Sequence, residues 1–209
     1  MSYRSALIAG LLFSSLGFGQ SFEAAISGGT SRFGDAKLGT ATGISSDPQY
    51  VMKDGFRLTF RMTLNSWRFF GHEFGYSYNH TSLDVPPITT STGLAGTTTS
   101  PAQTISVPIH QGFYDFLAYA TPEGTKIRPF AAGGVQFSSF VPPGTSIYYG
   151  NQVTKYGINY GGGLKFRVTS IWGIRFDVRF YNMGKPFNFP NQSGRLIQQE
   201  YSVGATFNL

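Results

Sequence analysis

The feature that most constrains this chain is an alternation of apolar and polar residues with a period of two. In the final segment, EYSVGATFNL, alternate positions from Tyr201 to Leu209 are apolar, and those from Glu200 to Asn208 are polar or small. Because successive side chains of a β-strand point to opposite faces, this pattern predicts a strand with one apolar face. The alternation recurs along the chain and predicts an all-β fold.

Eight segments are predicted to be strands, and most reach the roughly 9 to 11 residues that a tilted membrane-spanning strand needs. They cover residues 21–33, 55–64, 70–81, 109–120, 127–140, 156–167, 174–181 and 200–209. In the fourth segment Asp115 shares a face with Phe113 and Leu117, so the pattern does not assign the lipid-facing side of that strand. An even number of strands places both chain termini on the same side of the membrane.

Short and long connections alternate between these segments, as in bacterial barrels with short periplasmic turns and long external loops. The short ones are residues 65–68, 121–126 and 169–171, and the long ones are 34–50, 82–108, 141–153 and 184–198. The long ones are rich in Gly, Ser, Thr, Pro and Asn, which predicts mobile loops. Trp67 and Trp172 both fall at short turns, where an aromatic girdle at the membrane interface is expected.

The first 19 residues are predicted to be a secretory signal peptide. Arg4 precedes an apolar run at residues 6–13, and Gly17 and Gly19 supply small residues at a cleavage site. Residues 20–209 then form a single barrel domain, in which no stretch of 18 or more apolar residues predicts a membrane helix. The chain has no cysteine, so an exported protein of this sequence has no disulfide framework.

The composition of the two faces indicates which one points inward. The apolar face holds many of the 20 Phe and 12 Tyr, too many bulky rings for the narrow lumen of an eight-stranded barrel. The other face carries charges of both signs, which can neutralise one another in a lumen. These are Arg57, Arg61, Lys165, Arg167, Arg175 and Arg179 with Glu23, Glu73, Asp177 and Glu200. We therefore predict an eight-stranded antiparallel up-and-down transmembrane β-barrel in a bacterial outer membrane; the alternative is a soluble periplasmic lipocalin-like barrel with its apolar face inward.

Two segments resemble the small outer-membrane β-barrel domain family, the OmpA-like and OmpX-like barrels. YGINYGGGLKFRVTSIWGIRFDVRFY, residues 156–181, places a Gly-rich strand before a tight turn and a strand of the form G-x-R-x-D-x-R, and KIRPFAAGGVQF, residues 126–137, resembles the preceding strand. The resemblance implies a monomeric barrel of the bacterial outer membrane. The expected partners are outer-membrane lipids and lipopolysaccharide, the barrel assembly machinery and an external ligand at the loops.

A histidine and a serine at the end of the third segment form the one candidate catalytic pair. His80 and Ser82 project on the same face of a strand, as in barrel enzymes that remove acyl chains from lipid A. Leu83 stands where that motif has Asn, and no acidic partner is identifiable. We therefore predict a non-enzymatic protein and keep a lipid A-modifying enzyme as an alternative.

Other residue patterns do not predict a cofactor, metal or nucleic-acid site. His72 and Glu73 point to opposite faces of one strand, His110 stands alone, and Gly161–Gly163 lack the Lys-Ser/Thr of a phosphate loop. The net charge is +6, but the cations are spread singly rather than clustered for nucleic acid.

The charged face suggests a structural role for the lumen. Arg175, Asp177 and Arg179 form a ladder two residues apart, which predicts a polar core that fixes the strand register; a narrow ion or small-solute channel is the alternative. The predicted function is an envelope-structural or surface-interaction role exerted through four long external loops.

Overall fold

The computed structural model describes residues 21–44, 47–91 and 97–209. The predicted signal peptide, residues 1–19, lies outside the described residues and stays a prediction. In order along the chain, the strands are β1 (Ser21–Phe33), β2 (Lys37–Thr40), β3 (Gln49–Met52), β4 (Gly55–Trp67), β5 (Phe70–His80), β6 (Ser82–Val85), β7 (Ile88–Ser91), β8 (Thr97–Ser100), β9 (Gln103–Ser106), β10 (Ile109–Tyr119), β11 (Ile127–Phe140), β12 (Val153–Arg167), β13 (Trp172–Gly184) and β14 (Arg195–Asn208). In the described part of the chain, no helix has the length and apolar character needed to cross a membrane.

Eight of these strands close into an antiparallel barrel in the order β1-β14-β13-β12-β11-β10-β5-β4. The barrel closes because β1 pairs with both β14 and β4, so that Ile26 lies opposite Ala205 on one side and Phe60 on the other. Closure pairs the backbone groups of every barrel strand on both sides, as the lipid interior requires. The predicted eight-stranded all-β barrel is confirmed.

The two faces of the barrel differ as the alternation predicts. In β4 the side chains of Phe56, Phe60 and Met62 are about half exposed on the outside, whereas Arg57 and Arg61 are buried in the lumen. The apolar face points outward, which is opposite to the arrangement that a soluble lipocalin-like barrel needs.

Strand β10, which the alternation left unassigned, has a clear orientation. Phe113, Asp115 and Leu117 all face the lumen and are buried, while Tyr114 and Phe116 are exposed on the outer wall. The lumen accepts Phe113 and Leu117 because it is apolar near both ends: Phe113 belongs to a cluster toward the long connections, and Leu117 packs with Phe130 toward the short turns.

Both tryptophans lie at the end of the barrel that carries the short turns, as predicted. Trp67 ends β4 and packs edge-on against Phe70, and Trp172 begins β13 with its ring centroid 4.0 Å from that of Phe207. Both indole rings are exposed on the outer wall. This aromatic group marks the membrane interface at the short turns.

The long connections are more regular than their composition predicts. Strands β2, β3, β6 and β9 form a four-stranded sheet beyond the barrel, and β7 pairs with β8. The connections at 34–54 and 81–108 therefore contain paired strands that their composition does not predict, while the mobility of the long loops stays a prediction. Their few apolar residues explain the order, because Leu38, Met52, Leu83 and Val107 are at most 3% exposed and pack against the rim of the barrel.

These residues belong to one apolar cluster at the barrel end that carries the long connections, which we call the outer plug. Its buried members are Phe33, Leu38, Tyr50, Met52, Leu83, Val107, Ile109, Phe113, Phe140, Tyr181, Met183 and Leu196. The outer plug joins the external sheet to the barrel and fills the external end of the lumen.

Candidate functional site

The described residues place four arginines and four carboxylates in the centre of the lumen. None of these side chains is more than 2% exposed, and each sign occurs equally often. They are Arg57, Arg61, Arg175 and Arg179 with Glu73, Asp115, Asp177 and Glu200. We call this set the central ion network. Buried charges of this kind are tolerated where each has partners of opposite sign and further hydrogen bonds.

Arg175 lies between two carboxylates and donates two hydrogen bonds to each. Its Nη1 and Nη2 donate to the two carboxylate oxygens of Glu73 at 2.5 and 3.0 Å, and its Nε and Nη2 donate to those of Asp177 at 2.6 and 2.8 Å. Glu73 also accepts hydrogen bonds from Arg179 Nη2 and Thr63 Oγ1, each at 3.0 Å. Glu73 therefore joins three different strands at one point.

Two further carboxylates complete the network. Glu200 accepts a hydrogen bond from Arg61 Nη2 at 2.6 Å and one from the Tyr181 hydroxyl at 2.8 Å, and its Oε2 lies 3.1 Å from Arg57 Nε. Asp115 accepts a hydrogen bond from Arg179 Nη1 at 2.7 Å. The predicted ladder of Arg175, Asp177 and Arg179 is thus part of a network that includes strands on the opposite side of the lumen.

Polar layers above and below the network fill most of the remaining lumen. Toward the outer plug, Gln111 accepts a hydrogen bond from Asn79 and donates to Ser138 and Gln198, with distances of 2.7 to 3.0 Å. Toward the short turns, Lys165 Nζ donates to Glu23 at 2.7 Å. Beyond Lys165 a cavity of about 240 Å³ opens at the end of the barrel that carries the short turns. The lumen is therefore filled by side chains rather than shaped as a wide pore.

One predicted lumen residue lies elsewhere, and the predicted set omits two charged lumen residues, Asp115 and Arg128. Arg167 is exposed, because it is the last residue of β12 and lies beyond the deepest lumen layer beside the cavity at the short turns. The alternation does not assign Asp115, because it shares its face with the apolar residues Phe113 and Leu117. Arg128 was not singled out; its guanidinium carbon lies 3.4 Å from the centroid of the Tyr119 ring. The sequence signal for Arg128 was its place in the alternation of β11, where it shares a face with the buried residues Phe130 and Ala132.

The candidate catalytic residues lie on different sheets. His80 is the exposed last residue of β5, and Ser82 is the partly buried first residue of the external strand β6. Within the described residues no hydrogen bond joins the two side chains. His72 and Glu73 do point to opposite faces, since His72 Nδ1 lies 2.6 Å from the Tyr114 hydroxyl on the outer wall. Across residues 21–44, 47–91 and 97–209, no group of three or more His, Cys, Asp or Glu could hold a metal ion.

A closed antiparallel barrel with an apolar outer wall and a filled, charged lumen defines a transmembrane barrel of the outer-membrane type. The chain matches the outer membrane protein beta-barrel domain family over residues 7–208. It therefore belongs to this family, and the bacterial outer membrane is its location. The resemblance noted in the sequence is thereby confirmed.

Solved structures with this fold share little sequence with the chain. The outer membrane protein OprG from Pseudomonas aeruginosa is 11% identical with a TM-score of 0.60, and Neisserial surface protein A is 10% identical with a TM-score of 0.57; each alignment covers 91% of this chain and 97% of the other. The outer membrane protein AlkL is 13% identical with a TM-score of 0.50, and 92% of each chain is covered. At these identities the likeness shows the fold. Comparison with curated proteins gives no match.

Proposed function

We propose that this barrel acts without catalysis in the cell envelope, either by supporting the integrity of the outer membrane or by contacting an external surface through its four long connections. The observation that carries this proposal is the outer plug, which anchors the external sheet β2-β3-β6-β9 to the rim of the barrel. A sheet anchored in this way presents a defined surface for recognition.

The lumen supports the same proposal. The central ion network uses its charged groups to bind one another, and such an arrangement favours a structural lumen over a transport path. The proposed partners are outer-membrane lipids and lipopolysaccharide, the barrel assembly machinery and an external ligand at the connections, and the proposed state is a monomer. The family and the location in the outer membrane support the proposed lipids and assembly machinery as partners.

The external connections can be tested separately from the barrel. Tyr148 and Tyr149 lie in the connection at 141–152 and are 98% and 86% exposed. We expect the double variant Tyr148→Ser, Tyr149→Ser to insert normally but to fail to restore the detergent resistance or surface adhesion of cells that lack this protein. The control is the double variant Val178→Ala, Val203→Ala on the outer wall, which leaves the connections unchanged. Full restoration of detergent resistance or adhesion by the tyrosine variant would argue against a role for the connection at 141–152.

The lipid A-modifying alternative has a direct test of its own. Replacing Ser82 by Ala and profiling lipid A from cells that express each form separates the two proposals. An unchanged profile supports the non-enzymatic role, whereas loss of a lipid A species that the wild-type protein produces would support catalysis at His80 and Ser82.

A further inference from the structure

One buried arginine of the lumen lacks a carboxylate partner. Arg128 on β11 is 6% exposed, and its Nη1 and Nη2 donate to two neutral oxygens, Asn65 Oδ1 and the Arg68 carbonyl oxygen, each at 3.1 Å. Among the described residues no carboxylate oxygen lies within 4.0 Å of its guanidinium, and its Nε has no hydrogen-bond partner. By contrast, each arginine of the central ion network lies within 3.1 Å of a carboxylate oxygen. The charge of Arg128 is therefore poorly compensated.

The Tyr119 ring compensates for part of this charge. The guanidinium carbon of Arg128 lies 3.4 Å from the ring centroid, close enough for cation–π attraction. A ring supplies no net negative charge, however, whereas a buried cation is best stabilised by a group of opposite charge. The surroundings of Arg128 thus favour one further negative group.

The cavity at the short turns lies beside this arginine. Its volume is about 240 Å³, and residues of β1, β4, β11, β12 and β14 contribute to its lining, so it lies inside the ring of strands. Its charged lining residues are Arg128, Lys165 and Arg167 with Glu23 and Glu123. Lys165 Nζ is already paired with Glu23 at 2.7 Å. Two cations, Arg128 and Arg167, are then left with one exposed carboxylate among the described lining residues.

We propose that this cavity binds one small oxyanion of the phosphate class, which enters from the periplasm and neutralises Arg128. Guanidinium groups donate charge-assisted hydrogen bonds to phosphate oxygens, and Lys165 and Arg167 add positive charge on the same wall. The hydroxyl groups of Ser170 and Thr206 also line the cavity and can donate to the remaining oxygens. The cavity opens at the short turns, which lie on the periplasmic side of such barrels.

The phosphate group has two possible sources, a free ion and the headgroup of an inner-leaflet lipid. The position of the cavity inside the ring of strands favours the free ion, because lipid covers the outer wall of a transmembrane barrel.

The test is a phosphate titration of the protein in micelles of a zwitterionic detergent that contains no phosphate, with chloride holding the ionic strength constant. Arg167 lines the cavity, so the NMR signal of its Nε–H group reports occupancy in every variant. Arg128→Gln removes the proposed anchor of the anion. Arg68→Gln is the matched control, because Arg68 is an exposed arginine at the same end of the barrel and does not line the cavity.

We expect the wild-type protein and Arg68→Gln to show a saturable shift of this signal with one binding site. Arg128→Gln should bind phosphate at least about tenfold more weakly, because it lacks the charge-assisted donor. No saturable shift in the wild-type protein, or equal affinity of the two variants, would overturn the proposal. Nanodiscs of phosphatidylcholine with and without phosphatidylglycerol test the lipid source. A shift with phosphatidylglycerol but none with free phosphate would overturn the assignment to a free ion.

Glu123→Gln provides a variant that leaves the buried residues of the lumen unchanged. Glu123 is exposed and lines the cavity, where its carboxylate accepts a hydrogen bond from the Ser21 hydroxyl. Removing this negative charge should tighten phosphate binding, because like charges repel. Binding no tighter than that of the wild-type protein would overturn an electrostatic anion site. This inference does not depend on the role of the external connections.

Discussion

Arg61 and Glu200 form an ion pair inside the barrel, although 139 positions separate them in the sequence. Arg61 Nη2 lies 2.6 Å from Glu200 Oε1, and neither side chain is exposed. The two residues lie on β4 and β14, and β1 runs between these strands. The pair therefore spans the closing strand and stabilises the closed barrel over an open sheet.

Replacing Glu73 by Gln is expected to cost the most stability of any single charge removal in the lumen. The carboxylate receives hydrogen bonds from both Arg175 and Arg179, and its loss leaves uncompensated positive charge in a buried site. The free energy of unfolding should fall by about 3–5 kcal/mol. The free energy of unfolding is measured by urea titration of the protein in lipid vesicles. The folded fraction at each urea concentration is read from the difference in gel mobility between heated and unheated samples.

The control for this variant is Arg32→Gln, which removes one charge from an exposed pair with Asp54 at 4.0 Å. Such exposed pairs contribute about 0–1 kcal/mol. A Glu73→Gln protein as stable as this control would show that the central ion network does not hold the barrel together.

The filled lumen is expected to prevent ion conduction. Planar bilayers that contain the wild-type protein should show no conductance steps, because Arg175 hydrogen-bonds to Glu73 across the lumen and Arg61 and Arg179 are bound to further carboxylates inside it. Insertion is checked on the same sample by resistance of the barrel to added protease. Reproducible steps at a fixed size would instead support the channel alternative.

Leu38 is expected to hold the external sheet in place without holding the barrel. Its side chain is fully buried in the outer plug, so Leu38→Ala should destabilise that region by about 2–5 kcal/mol. Proteinase K should then cleave the external connections faster, while the gel mobility of the barrel remains heat-dependent. Ile44→Ala is the control, since Ile44 is 61% exposed in the same connection. Equal cleavage of both variants would contradict the role assigned to Leu38.

The external sheet is expected to loosen at acidic pH. Hydrogen bonds from Lys53 and then from Thr104 lower the pKa of the Asp84 carboxylate below its ordinary value of 3.8. A lowered pKa in the folded state means that this contact contributes fully above pH 3.8 and is lost as the pH falls through the lowered value. The Lys53 ammonium lies 2.8 Å from the carboxylate, so it connects the residue that follows β3 to β6.

Hydrogen exchange of β3 and β6, compared between pH 6 and about pH 2 after correction for the intrinsic rate, measures this loosening, because the acidic condition must lie below the lowered pKa of Asp84. The Asp84→Asn protein should show little change between the two pH values, because it lacks the titrating group. Identical protection of β6 in the wild-type protein at both pH values would contradict the assignment.

The sequence by itself determined the eight barrel strands, the inward face of most of them and the short turns. These features depend on the period of two, which is local: Phe56, Phe60 and Met62 face lipid because each lies two or four residues from the next. The positions of Trp67 and Trp172 at short turns followed from the same reasoning. The resemblance of residues 156–181 then gave the family.

Only the tertiary structure decided which residues meet. The partners of Arg61 and the inward orientation of Phe113 depend on strand register and barrel closure, which bring distant segments together, and the exposure of Arg167 depends on how far β12 extends past the lumen. The regular structure of the long connections also depends on barrel closure, because Leu38 and Leu83 become buried only when two connections pack on the rim of a closed barrel. The alternation of neighbouring residues carries no information about such distant contacts.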